Sequence, residues 1–233
     1  MENGKTYYFR VRAYADYKNS SSKKKTRTWS QYSNIVKIKL TSSMNSIPVR
    51  QKMKSVQNSA RGILVKWAVS SNAEGYAVYR KTGEGGSWKH IADVSGKKKN
   101  TYLDQSVKDK NGQIYYYTVR GVIGSKKSAF DEKGRGIVRL RTPRLKAESS
   151  KAGTATLVWS LNGAANGYEI QYSTSKDFRN RKTVTIDSGK TRSTEIRNLK
   201  SGKTWYFRVR SYRKAGSTVS RSGWSPVKTV SIK

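Results

Sequence analysis

Gly4-Lys-Thr-Tyr-Tyr-Phe-Arg-Val-Arg12 is a phrase that the sequence writes twice more, as Gly112-Gln-Ile-Tyr-Tyr-Tyr-Thr-Val-Arg120 and Gly202-Lys-Thr-Trp-Tyr-Phe-Arg-Val-Arg210. After each glycine every second residue is large and apolar: Tyr7, Phe9 and Val11; Tyr115, Tyr117 and Val119; Trp205, Phe207 and Val209. That is the period of a strand with one buried face, so each copy reads as a turn followed by a long strand. The intervening residues (Tyr8, Arg10, Arg12; Tyr116, Thr118, Arg120; Tyr206, Arg208, Arg210) point the other way and, Thr118 apart, are aromatic or cationic. Functional side chains are expected on that outward face.

Working outward from these strands, the chain divides at Pro48 and Pro143. Residues 1–40 carry the first copy, a Lys- and Ser-rich loop from Asp16 to Thr28, then Trp29-Ser-Gln-Tyr-Ser and a second strand, Ile35-Val-Lys-Ile-Lys-Leu40. A lone hairpin of this kind is marginal in water, and Met1 stands where the last copy has Leu199. The expectation is a partial module whose upstream strands belong to a longer protein. Residues 41–47 read as a linker.

Residues 48–142 contain seven short apolar runs: Met53 to Asn58, Gly62 to Trp67, Gly75 to Arg80, Trp88 to Val94, Thr101 to Leu103, the strand after Gly112, and Gly136 to Arg141. Gly-, Ser-, Asn- and Lys-rich turns separate them. Residues 143–233 repeat the order, and Trp67 to Tyr76 has the same spacing as Trp159 to Tyr168. Seven strands at this spacing imply an all-β chain of tandem sandwiches, each large enough for its own two-layer core. Their aromatic content, 15 Tyr and 6 Trp, supplies bulk where aliphatic residues are few.

A strand ending in Trp, a Gly-Tyr-x-(Val or Ile) strand, and Leu199-Lys-Ser-Gly202-Lys-Thr-Trp205-Tyr-Phe207-Arg-Val209 together resemble the fibronectin type III module. Trp67 and Trp159 fall at the family's core tryptophan on strand B, and residues 1–40 match its last two strands, F and G. The resemblance implies a tyrosine corner, in which a Tyr hydroxyl bonds backbone near the turn before strand F. Tyr7 and Tyr115 stand at that position but Trp205 replaces it in the last repeat. In the middle repeat Asp109 stands where the leucine should be, so a longer and looser turn is expected there. The Lys- and Tyr-rich wording looks like tandem modules near the ends of large surface proteins of clostridia-like Gram-positive gut bacteria. This implies an extracellular or wall location, a spacer or adhesive role, and further domains in a parent chain.

The net charge is +35, distributed as +8, +13 and +14 over residues 1–47, 48–142 and 143–233. An evenly basic surface repels itself and attracts polyanions. The runs Lys23, Lys24, Lys25 and Arg27; Lys97, Lys98 and Lys99; Lys126 and Lys127; and Arg179, Arg181 and Lys182 all read as loop segments. Loops on a rigid scaffold are where binding residues concentrate. Lys runs bind phosphate as point charges, without much specificity and with strong salt dependence.

Catalytic chemistry finds little here. There is no cysteine and one histidine, His90, whose place in the alternation of Trp88 to Val94 puts it on a face with Trp88 and Ala92 and reads as a surface or edge residue. The adjacent acids Asp131-Glu132 read as local charge compensation in a basic loop rather than an acid and base pair. Gly83-Glu-Gly-Gly86 reads as a hairpin turn, and the Arg-Gly-Asp tripeptide of some family members is absent. The sequence assigns no catalytic residue, metal or cofactor, and has no apolar stretch long enough to span a membrane.

A more specific arrangement comes from the resemblance. Arg208 and Arg210 on strand F beside Trp224-Ser225 are similar to the Arg and Trp stacks next to the Trp-Ser motif of cytokine-receptor modules, and Arg10, Arg12 and Trp29-Ser30 are expected to repeat it as a structural element. The reading is a non-enzymatic spacer or adhesion segment that associates with an anionic wall polymer or a host surface ligand. Its rivals are a nucleic-acid or other polyanion binder, stacking bases on Tyr and Trp, and an accessory carbohydrate-binding module with exposed rings such as Trp88.

Overall fold

The structure, a computed structural model, describes residues 4–18, 25–40, 48–216 and 218–233. The chain forms two compact units, residues 1–47 and 48–233, and every regular element among the described residues is a strand. Among those residues no helix is long and apolar enough to cross a membrane.

In the first unit β1 (Thr6–Phe9) and β4 (Val36–Lys39) pair antiparallel, with Tyr7 opposite Ile38 and Phe9 opposite Val36. Between them β2 (Tyr14–Lys18) and β3 (Lys25–Trp29) form a second antiparallel pair. This corrects the reading of Asp16 to Lys18 and of Lys25 to Thr28 as loop; the rest of that stretch, residues 19–24, lies outside the described residues. Tyr, Thr and Trp favour the pleated surface, Asp16 and Arg27 pair across the ladder at 2.6 Å, and Tyr14 packs on Trp29 with ring centroids 5.2 Å apart. Lys23 and Lys24, and the linker at 41–47, lie outside the described residues.

The middle sandwich packs two sheets. One has the order β5 (Met53–Ser59), β6 (Gly62–Trp67), β9 (Thr101–Asp104). The other centres on β7 (Gly75–Thr82) and β10 (Ile114–Ile123), with β8 (Lys89–Ser95) beside β7, and β11 (Lys126–Lys127) and β12 (Arg135–Val138) on the far side of β10. Ile63, Val65, Trp67, Tyr76, Val78, Tyr117 and Val119 fill the core. The last sandwich repeats this with β13 (Leu145–Glu148), β14 (Ala155–Trp159) and β17 (Ser193–Ile196) in one sheet. Its second sheet holds β15 (Gly167–Ser173), β16 (Lys182–Ile186), β18 (Thr204–Ala215), β19 (Thr218–Arg221) and β20 (Lys228–Ser231). Each is a fibronectin type III-like sandwich.

The shared Trp-to-Tyr spacing is a packed pair in both: Trp67 lies 5.3 Å from Tyr76 and Trp159 5.4 Å from Tyr168. Each tyrosine hydroxyl then donates to backbone across the sandwich, Tyr76 to the Lys97 carbonyl at 2.8 Å and Tyr168 to that of Gly189 at 3.3 Å. The expected tyrosine corner is built otherwise. Tyr115 donates to the Gln113 side chain at 2.8 Å rather than to backbone, and the Trp205 indole N–H is sealed from solvent with no hydrogen-bond partner among the described residues. The missing leucine before Gly112 is replaced by Val107, 1% exposed, which enters the core from a longer turn much as Leu199 does in the last sandwich.

His90 is exposed on the surface as expected, but not on the face foreseen for it. A bulge opposite Val78 and Tyr79 lets Ile91 and Ala92 both pack toward the core, so His90 leaves the Ala92 face. It contacts Asp93 at 2.9 Å and lies beside Tyr79.

Candidate functional site

The outward face of β18 is organised by what happens on its neighbour. Trp224 to Ile232 reads as one strand in the sequence, but only Lys228–Ser231 pairs regularly. Pro226 offers no N–H, and two serines replace the normal ladder. Ser222 N donates to Ser211 O at 2.8 Å while the Ser222 hydroxyl accepts from Ser211 N at 3.0 Å. Ser225 does the same with Val209, at 2.8 and 3.1 Å. The backbone between the serines bows away from the sheet, and Trp224 lies across the arginines of β18.

There Arg208 and Arg210 sit 4.6 and 4.2 Å from the Trp224 ring. Phe178 holds the other side of Arg208 at 4.0 Å, a residue forced to φ 59° in the turn before β16. A bulky side chain in that region is unusual, and its ring is 3% exposed. Glu169 ties the lower end, accepting from Arg210 at 2.5 Å and Arg221 at 2.9 Å. Burial pushes the Glu169 carboxyl up, but these two charged donors outweigh it and hold its pKa below the ordinary carboxylate value. Burial lowers the pKa of Arg208, with Arg181 and Arg210 acting in the same sense.

The first unit builds the same device in a different register from the one expected. Ser30 pairs with Ala13 and Ser33 with Val11, each serine both donating its N–H and accepting through its hydroxyl. Tyr32 is therefore the counterpart of Trp224, and Trp29 that of Arg221. Arg10 lies 3.8 Å from the Tyr32 ring, and Arg12 lies 4.0 Å from Trp29 and 4.7 Å from Tyr32. The middle sandwich keeps one serine rung, Ser128 with Gly121, and places Phe130 5.8 Å from Arg120. Phe130 also meets the edge of Trp88, whose ring has Lys81 5.3 Å away. Trp88 is thus half-buried in a cluster rather than free on the surface.

The loop cations are distributed as follows. Arg27 and Arg179 are bound to Asp16 and Asp177. Lys97, Lys98, Lys99, Arg181 and Lys182 are exposed, with no carboxylate at ion-pair distance among the described residues. Lys25 is exposed at the start of β3. Lys126 and Lys127 form the short strand β11, with Lys127 Nζ 3.4 Å from the Tyr79 hydroxyl. Glu74 accepts from Gly96 N through its carbonyl and from Gly124 N through its carboxylate, which gathers the Lys97 to Lys99 turn and the β11 hairpin at one end of the middle sandwich. The Arg179 to Arg181 turn lies at the opposite end of the last sandwich, and Lys182, read as loop in the sequence, is the first residue of β16, paired with Tyr172. Asp131, half of the adjacent acid pair, accepts from Arg50 at 2.8 Å, and no group of three potential metal ligands occurs among the described residues.

Sequence reasoning missed the junction between the middle and last sandwiches. Arg139, 1% exposed, donates to the carbonyls of Val107, Ser59, Leu140 and Lys108 and to the Asn58 side chain, at 2.6 to 3.3 Å. Asn58 in turn donates to Val138 O and to Arg221 O of the last sandwich, at 2.9 and 3.0 Å. Val138 N donates to the Ser220 hydroxyl, and Asn111 Nδ2 donates to Asn162 Oδ1 at 2.7 Å. The one available signal was Arg139 itself, an arginine within an apolar run.

Residues 141–228 match the family model of the fibronectin type III domain. No curated protein matches the chain. Among solved structures the chain is similar to the FN1–FN3 domains of chicken CNTN1, at 17% identity over 88% of this chain and 70% of that one, with a TM-score of 0.37. It is similar to a two-domain fibronectin type III segment of chicken tenascin, at 14% identity over 79% and 98%, with the same score. It is also similar to the chicken interferon gamma receptor alpha chain, at 11% identity over 79% and 97%, again at 0.37.

Proposed function

We propose that this chain is a non-enzymatic spacer and adhesion segment of an exported bacterial surface protein, one that holds to anionic wall polymer by charge. The observation that carries the reading is the junction. Side chains from both sandwiches reach across it to backbone and to each other, so the two modules are spaced by a fixed joint rather than by a free linker, and a fixed joint is what a spacer requires. The cations at the two ends of this pair are in large part without carboxylate partners among the described residues. They suit a flexible polyanion better than a ligand needing defined geometry. The outward stacks act structurally in this reading, because each guanidinium is already engaged by a ring, an amide or a carboxylate.

The test is binding of the whole chain to isolated Gram-positive walls, with and without their anionic polymers, across a salt series. The proposal expects binding at low salt that falls steeply as salt rises and disappears when the polymers are stripped. Binding that survives both treatments would refute the electrostatic reading and favour recognition of wall sugar. Tighter binding to a single-stranded oligonucleotide than to a wall polymer of equal charge would transfer the function to nucleic acid.

A further inference from the structure

The junction also holds a cleft of about 520 Å³. Its wall includes Lys108, Arg139, Arg141 and Arg144, opposed by a single carboxylate, Asp109. The backbone bearing Arg141 and Arg144 is fixed from both modules. Arg141 N donates to the Asn111 side chain of the middle sandwich at 3.1 Å, and the Asn162 amide of the last sandwich donates to Arg141 O at 2.9 Å. Arg144 N donates to the Ser160 hydroxyl at 2.9 Å, and Ser160 N donates back to Arg144 O at 3.0 Å. Pro143 is buried between the two arginines and fixes φ there.

Two exposed arginines therefore stand on immobilised backbone beside one cleft. Neither guanidinium has a carboxylate partner among the described residues, unlike Arg80, Arg210 and Arg221. Burial lowers the pKa of Arg139, while Tyr117 and Asp109 oppose the fall and Arg141 adds to it; the excess of cationic side chains over the one carboxylate in the wall is what concentrates positive charge here. Planar guanidinium forks on a rigid base are suited to the tetrahedral oxyanions of phosphate and sulfate. The cleft volume is within the usual range of small-ligand sites.

We propose that this junction cleft is an oxyanion site, in which Arg141 and Arg144, supported by Lys108, take one phosphate or sulfate group of a polyanionic chain. The inference rests on the polyanion reading above and locates its specific contact between the modules rather than on the lysine loops.

The test titrates the full chain by calorimetry with two probes, a short glycerol-phosphate oligomer and a sulfated oligosaccharide of equal charge, at about 50 mM salt. Four proteins are compared: wild type, R141Q/R144Q, the loop variant K97Q/K98Q/K99Q, and Asp109→Asn. For at least one probe the expected result is a 1:1 site weakened about tenfold or more in the arginine pair variant. The loop variant should stay within about twofold, and Asp109→Asn should bind more tightly because the one opposing charge is gone. The probe with the larger loss identifies phosphate or sulfate as the group preferred. If R141Q/R144Q loses no more than the loop variant, the cleft is refuted while diffuse polyanion binding stands. If neither probe binds wild type, both readings fall. An unchanged thermal melt of R141Q/R144Q separates lost binding from lost folding, and Asp109→Asn supplies a gain that unfolding cannot mimic.

Discussion

Replacing Asp104 by Ala tests whether the middle sandwich depends on a charged clamp that the last sandwich does without. Asp104 is 1% exposed and accepts from Arg80 at 2.7 Å, from Tyr117 at 2.8 Å, and from the Ser106 hydroxyl and amide. It closes one sheet onto the other, since Asp104 ends β9 while Arg80 and Tyr117 belong to β7 and β10. Burial, followed by the charge of Asp104, drives the Tyr117 hydroxyl far above the usual phenol pKa. The aligned positions in the last sandwich are Tyr172, Ile196 and Phe207, with Tyr172 stacked on Phe207 at 6.1 Å. Removing one partner of a buried ion pair costs about 3–5 kcal/mol. The Arg80 side chain is 23% exposed, so water relieves part of the stranded charge and the lower figure, about 3 kcal/mol, applies. At about 4–8 °C per kcal/mol for a domain of this size, the middle sandwich should melt about 12–24 °C lower. The triple variant Arg80→Tyr, Asp104→Ile, Tyr117→Phe leaves no stranded charge and should recover most of the loss. Urea titration with amide exchange at Val65 and Val119 reports this module separately. A loss below about 1 kcal/mol for Asp104→Ala, or a triple variant less stable than the single one, would refute the clamp.

Two further outcomes follow from the stack on the last sandwich. Trp224→Ala removes two cation–π contacts worth about 0.5–1 kcal/mol each, so the melting temperature of that module should fall by several degrees while wall binding is retained; an unchanged melt would exclude a structural role. Glu169 has a pKa lowered on folding, so its contribution is complete above the unfolded carboxylate range, near 4.3, and is lost as pH falls through the folded value. Glu169→Gln should therefore be less stable than wild type at pH 7 and approach it under acid conditions, as followed by thermal melts from about pH 7 to 2.

Strand positions were legible because apolar residues at every second position force one face inward, as Tyr117 and Val119 or Phe207 and Val209 show. Composition misled where it disagreed with pairing. The Lys and Ser content of the stretch from Asp16 to Thr28 concealed the pairing of β2 with β3, held by Tyr14, Trp29 and the Asp16–Arg27 pair. Matching Trp29 with Trp224 by residue type missed a register that serine hydrogen bonds decide, and those bonds carry no periodic signature. Arg139 shares its strand face with Ile137, a core residue, but alternation gives no sign that a cation there is met by the carbonyls of Val107, Lys108 and Ser59. The basic runs were visible as charge alone. Which of them have acidic partners, and that Arg141 and Arg144 border a cleft, depends on contacts between residues far apart in sequence.

The serine rungs bear on how a tandem protein avoids misassembly. Neighbouring modules of similar sequence can exchange strands during folding, and an open sheet edge is a template for that error. Where Ser222 and Ser225 use their hydroxyls in place of backbone carbonyls, the chain between them leaves the plane of the sheet, and Pro226 follows without an N–H to offer. An incoming strand finds a kinked margin topped by an indole and two guanidiniums, with no continuous row of amides and carbonyls to copy. The same interruption at Ser30 and Ser33, and in shortened form at Ser128, gives each repeat a margin that discourages pairing with its neighbours.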